Sequence, residues 1–137
     1  MRAVIDTNLW ISFLFGKKVA DLLTLIQSGQ VEVVTDARQI AEIEDVLSRP
    51  KIKKIVGSQR LTVMLRFLHR KARRVTPKKR ITACRDPGDD YLLEIAVEAK
   101  ANFLISGDDD LLALDPFRFV RIVRYQENAQ GAVGFPQ

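Results

Sequence analysis

A chain of 137 residues has the length of one domain, enough for a single sizeable core. With 47% hydrophobic and 28% charged residues it has the balance of a folded protein and not of a disordered one. No apolar run approaches the roughly 18 residues that a bilayer crossing requires, and a single cysteine, Cys84, excludes an intrachain disulfide framework and suits a reducing cytoplasm.

The net charge of +5 conceals a division along the chain. From Lys51 to Arg85 there are 13 Lys or Arg and no Asp or Glu, whereas the remainder carries nine basic and 17 acidic side chains. A charge run is often only a solvated helix face. Thirteen cations without an interspersed anion point further, to a polyanionic partner, because neutralising phosphates releases counterions and dominates nucleic-acid affinity.

In chain order, Ala3 to Ile5 is a short apolar strand followed by the turn residues Asp6-Thr7-Asn8. Val19, Leu22, Leu23 and Ile26 repeat at helical spacing until Gly29. Val31 to Val34 predicts a second strand, and Thr35 the cap of a helix whose apolar face is Ile40, Ile43 and Leu47, ending at Arg49-Pro50. Ser58 is the expected cap of the next helix, with Leu61, Leu65 and Leu68 on one stripe and Arg66, Arg70 and Arg73 on another. Pro77 to Arg80 reads as a loop, and Asp86-Pro87-Gly88-Asp89 as a turn into a helix through Leu92, Leu93, Ala96 and Val97. Phe103 to Ile105 is a third strand, Gly107 starts a loop, and Phe119 to Val123 alternates as a fourth strand. Strands alternating with helices predict an α/β fold, a Rossmann-like parallel sheet with helices on both faces. Residues 1–125 read as a single domain and residues 126–137, rich in Gly, Ala and Gln, as a loosely held tail.

Open parallel sheets bind ligands beyond the carboxyl ends of their strands, and the acids fall there. Asp6 follows the first strand, Asp108 lies three residues past Ile105, and Asp89 and Asp90 open a helix. Glu42 adjoins the Ile40/Ile43 face, where it is expected to be held inward. Each acid alone has a structural explanation as turn chemistry, a helix cap or a surface residue. Gathered in one crevice they would repel one another and raise their pKa values unless a cation compensated. An all-oxygen carboxylate set suits Mg²⁺ or Mn²⁺, and no Cys/His cluster suggests zinc. His69, alone among arginines, reads as a surface or interface residue.

The segments Val4-Ile5-Asp6-Thr7-Asn8, Ala41-Glu42-Ile43-Glu44-Asp45-Val46-Leu47-Ser48-Arg49-Pro50-Lys51, Arg85-Asp86-Pro87-Gly88-Asp89-Asp90-Tyr91-Leu92-Leu93 and Leu104-Ile105-Ser106-Gly107-Asp108-Asp109-Asp110-Leu111-Leu112 resemble, in order and spacing, the four acidic motifs of PIN domains. The similarity extends over roughly residues 2 to 125 and is closest to the branch of toxin components of prokaryotic toxin–antitoxin pairs. The resemblance implies a Mg²⁺- or Mn²⁺-dependent endoribonuclease, cytoplasmic, with RNA as substrate, an antitoxin protein as partner and a homodimeric state. It places Asp6, Glu42, Asp89 and Asp108 at the acidic positions, with Asp110 auxiliary and Thr7, Asn8 and Ser106 orienting them. Asp90 is a rival to Asp89, and Glu44 a weaker rival to Glu42. The basic segment, in particular Arg66, Arg70, Arg73 and Arg74, is expected to hold the RNA backbone. The leucine stripe Leu61 to Leu68 is a possible contribution to the dimer surface.

Two other readings compete. An aspartyl phosphatase would want a second Asp two residues after Asp6, where Asn8 stands, and an acid where Leu112 stands. A non-catalytic RNA- or antitoxin-binding module would gain little from anions beside a polyanion.

Overall fold

The computed structural model describes residues 1–16, 23–24, 26–127 and 133–134. Its centre is a five-stranded parallel sheet in the order β3-β2-β1-β4-β5, made of β1 (Arg2–Ile5), β2 (Glu32–Thr35), β3 (Arg73–Arg74), β4 (Phe103–Ile105) and β5 (Arg121–Val123). The first strand is central because it is apolar on both faces: Ala3, Val4 and Ile5 are all buried. It pairs with β2 on one side, Val4 opposite Val34, and with β4 on the other, Ile5 opposite Ile105. The chain therefore winds outward from β1 in both directions, and the junction of β1 and β4 is the point where strand order reverses.

Alternation along the strands divides the core into two layers. Ala3, Ile5, Val33, Ile105 and Val123 pack with Trp10, Phe13, Ile43, Leu47, Met64, Phe67 and Leu68 on one face. Val4, Val34, Leu104 and Ile122 pack with Leu92, Leu93, Ala96 and Leu111 on the other. The first face is covered by α1 (Thr7–Leu14), α2 (Ala37–Leu47) and α4 (Ser58–Arg70), the second by α5 (Asp90–Glu98). Between α2 and α4 runs α3 (Pro50–Val56), with no buried residue, and the short α6 (Asp109–Leu112) follows β4. Each fully buried Leu, Ile or Phe contributes about 1.5–3 kcal/mol, so helices on both faces hold the sheet in place. A two-residue antiparallel pairing joins β6 (Gln126–Glu127) to β7 (Val133–Gly134). Among the described residues no helix is long and apolar enough to cross a membrane.

The strand and helix alternation follows the sequence pattern, with instructive departures. Asp6-Thr7-Asn8 is not a free turn: Asp6 caps α1 by accepting the Asn8 amide at 3.0 Å. Thr35 does not cap α2; it ends β2, and Asp36 caps the helix by accepting the Gln39 amide at 2.9 Å. Pro50 closes α2 but also opens α3, where a missing amide hydrogen costs nothing at the first helical position. Ser58 is the first residue of α4 and makes no side-chain cap; Gly57, at φ +88°, turns the chain there. The helix ends at Arg70, so Arg73 is not on its flank but starts β3, an edge strand that the sequence pattern did not predict. Leu61 and Leu68 are core residues, as are Met64 and Phe67, while Leu65 is half-buried. Of the helix expected over Val19 to Ile26, Val19 and Leu22 lie outside the described residues, while Leu23 and Ile26 pack on the first core layer.

Candidate active site

Parallel pairing of β1, β2 and β4 sends the residues after each of them to one edge of the sheet. Asp6 follows β1 and is buried at 5% exposure. Its Oδ2 accepts the Ser106 hydroxyl at 2.7 Å, while Oδ1 is fixed by the Asn8 amide. Ser106 follows β4, and its oxygen also accepts the Asp108 amide at 3.0 Å. One hydroxyl thus registers two acids on neighbouring loops. Asp108 in turn caps α6, its Oδ1 accepting the Asp110 amide at 2.9 Å. Asn8 acts here through its backbone amide, and Asp110 likewise, with its own carboxylate in the same half-exposed turn.

Asp89 ends a single 3₁₀ turn, Pro87–Asp89, before α5. Its carboxyl is pushed up to about 6 by burial first, then by a hydrogen bond with Asp108 and the charge on Asp108, and then by the charges of Asp6 and Asp86. Its neighbour Asp90 is differently employed. Buried, it accepts the amides of Ala83 and Cys84 at 3.2 and 2.7 Å and holds the loop before α5.

Glu42 is exposed on α2, against the expectation that it is held inward, because it sits on the flank of the helix and not under it. It is nonetheless tethered: the Tyr91 hydroxyl donates to Oε2 at 3.1 Å. Tyr91 also meets the Thr7 hydroxyl at 2.6 Å, and Gln39 donates to Thr7 at 3.3 Å and to the Ile5 carbonyl at 2.6 Å. One proton arrangement satisfies the chain: Gln39 amide to Thr7, Thr7 hydroxyl to Tyr91, Tyr91 hydroxyl to the Glu42 carboxylate. Burial and then the charge of Glu42 raise the Tyr91 pKa, while the hydrogen bond from Thr7 works in the opposite direction. Glu44, two residues on, points elsewhere and binds His69 Nε2 at 2.6 Å on the surface.

Tyr91 and Gln39 are absent from the residues singled out by sequence. Gln39 had a signal, lying three residues before Glu42 and so on the same side of the helix. Tyr91 stood within the third motif, but nothing there marked its partners Thr7 and Glu42, 84 and 49 positions away.

A match to the PIN domain family spans residues 2–110. The chain belongs to the PIN-domain family. PIN domains are in general nucleases, and the five-stranded α/β sheet of this one is the family's fold. An uncharacterized protein of Methanocaldococcus jannaschii is 29% identical over 126 residues, covering 89% of this PIN domain chain and 81% of the relative.

Among the described residues, no group of three or more His, Cys, Asp or Glu side chains is placed to hold a metal ion. Mg²⁺ does not require such a group: it keeps several waters and takes one or two carboxylates together with substrate phosphates. The donor chemistry of this PIN domain fits such a cation. Every acid at the edge offers oxygen, Asp89 and Asp108 are partly exposed, and the raised Asp89 pKa reflects burial first and then the neighbouring carboxyl groups of Asp108, Asp6 and Asp86.

Proposed function

We propose that this PIN domain is a Mg²⁺- or Mn²⁺-dependent endoribonuclease, with Asp6, Glu42, Asp89 and Asp108 as the acids that hold the cation and Asp110 in support. The observation that carries the reading is the crowding of carboxyl groups around Asp89, whose pKa of about 6 arises from burial together with Asp108 and Asp6. Such repulsion has no structural benefit in a helix cap, and a divalent cation relieves it.

When bound, the cation supplies Lewis acidity toward water and toward the phosphate. The protein's own contribution is placement. Ser106 holds Asp6 and Asp108 in register, and the Gln39–Thr7–Tyr91 chain fixes Glu42, the acid with most freedom on its exposed helix flank. Thr7 and Ser106 orient carboxylates through their hydroxyls, and Asn8 through its amide. RNA is the substrate best matched to the Lys51–Arg85 segment, some of whose 13 cations can offset phosphates that the acidic edge alone would repel.

Purified protein incubated with an oligoribonucleotide in Mg²⁺, Mn²⁺ or chelator tests the reading. Cleavage with either ion, absent in chelator, is expected; no cleavage under any divalent ion favours the non-catalytic binding module. The toxin role, action in the cytoplasm, an antitoxin partner and a homodimer rest on the resemblance of the motifs. Growth arrest on induction, relieved by a co-expressed neighbouring open reading frame, tests the toxin role, and sedimentation at micromolar concentration tests the dimer.

A further inference from the structure

The basic segment does not form one face. Arg66, Arg70 and Lys71 line a groove on α4 with Val63, Phe67 and Leu23. Lys78, Lys79 and Arg80 lie elsewhere, in the loop after β3. Because β3 is parallel to β2, this loop leaves the sheet at the edge where Asp6 and Asp36 emerge. There Lys78, Lys79, Arg80, Arg38, Thr76 and Glu94 line a cleft of about 390 Å³.

The acids of that cleft are already occupied. Asp36 caps α2 and binds Arg38 at 2.7 Å, and Glu94 accepts the Ile81 amide at 3.0 Å and Arg38 Nη1 at 2.8 Å. The side chains of Lys78, Lys79 and Arg80 form no ion pair among the described residues, so the charge the cleft presents to solvent is cationic. Arg38, half exposed and held between two carboxylates, lies 5.6 Å from the centre of the Tyr91 ring. The hydroxyl of that same ring holds Glu42. A single tyrosine side chain therefore separates the basic cleft from the acidic edge.

We propose that this cleft is an anchoring subsite for a backbone phosphate of the RNA strand, next to the phosphodiester at the acids, with Lys78, Lys79, Arg80 and Arg38 as its cations. The inference rests on the nuclease reading above and narrows the RNA contact to one part of the basic segment. A guanidinium fixed by carboxylates is ordered before the strand arrives, and three lysine or arginine side chains free of partners can turn to the phosphate. A strand that crosses the Tyr91 ring from this cleft reaches Glu42 without passing the α4 groove.

The test compares two variants of the full chain for binding of a fluorescent single-stranded oligoribonucleotide in chelator, where no cleavage confounds the signal. Lys78→Gln/Lys79→Gln/Arg80→Gln changes three exposed side chains, and a circular dichroism melt checks that it folds as the parent does. At low salt its affinity is expected to fall at least about tenfold, and its salt slope to flatten by about 2, at roughly 0.7 for each single-strand phosphate no longer neutralised. Arg66→Gln/Arg70→Gln is expected to bind within about twofold of the parent. Parental affinity in the triple variant overturns the proposal, as does an equal loss in both variants, which would report overall charge. Displacement of the RNA by polyglutamate as readily as by unlabelled RNA of equal charge overturns the assignment to nucleic acid. The nuclease reading fails separately, by absence of cleavage in Mg²⁺ or Mn²⁺, and leaves the binding comparison decisive by itself.

Discussion

Asp89 is the residue at which the cost of assembling acids is visible. Its carboxyl ionises near 6 in the folded chain against an ordinary 3.8. Between those values the folded state binds more protons than the unfolded one, so this group's contribution to stability falls as pH rises through the window. In chelator, urea melts from pH 4 to 7 should show that decline, and Asp89→Asn should flatten it; an unchanged slope in the variant would remove Asp89 as its source. Asp6 poses a different question, because it is both an anion of the site and the cap of α1. Asp6→Asn keeps an acceptor for the Asn8 amide, weakens the bond from Ser106 by about 1 kcal/mol, and lowers the repulsion felt by Asp89. The two changes oppose, so the melting temperature in chelator should move little while RNA cleavage drops by orders of magnitude. A variant that melts early yet cuts normally would reduce Asp6 to a cap.

At the scale of elements, α2 and α5 approach each other across the end of β1, joined by the Arg38–Glu94 ion pair and by Tyr91, which reaches Glu42. Its hydroxyl has two partners, so Tyr91→Phe leaves Thr7 without its acceptor and Glu42 without its donor while the ring remains. Removing a group that orients a ligand typically lowers metal affinity about 10–100-fold. The Mn²⁺ concentration for half-maximal cleavage should rise within that range, with the maximal rate at saturating ion far less affected. A drop in the maximal rate with unchanged ion dependence would assign Tyr91 to substrate and not to Glu42. The sequence pattern did locate α2 and its buried face, Ile40, Ile43 and Leu47, because periodicity is a local property. It did not locate α3, whose seven residues include none that is fully buried and only Ile52 and Val56 packed against the core.

For the whole molecule, the proposed cation, held by acids from separate elements, would bind the folded chain and not the unfolded one. Such linkage stabilises by about 2.7 kcal/mol at an ion concentration one hundred times the dissociation constant. Mn²⁺ should therefore raise the melting temperature, and Asp6→Asn or Asp89→Asn should abolish most of that rise. An undiminished rise in both variants would place the ion elsewhere on the chain.

By itself the sequence determined the alternation of strands and helices, the burial of β1 on both faces and the position of Asp6 and Asp108 just past their strands, since each follows from hydrophobic pattern and chain order. It also marked the cations of Lys51 to Arg85 as a group. Only the tertiary structure decided which members of each group act together. Asp90 binds two backbone amides while its neighbour Asp89 meets Asp108, and Glu44 pairs with His69 while Glu42 reaches Tyr91. The same holds for the cations, of which Arg66, Arg70 and Lys71 line the α4 groove and Lys78, Lys79 and Arg80 the cleft after β3. Adjacent residues on a helix point in different directions, and the partner that gives each its role arrives from an element tens of residues away. A one-dimensional pattern carries the direction but not the partner.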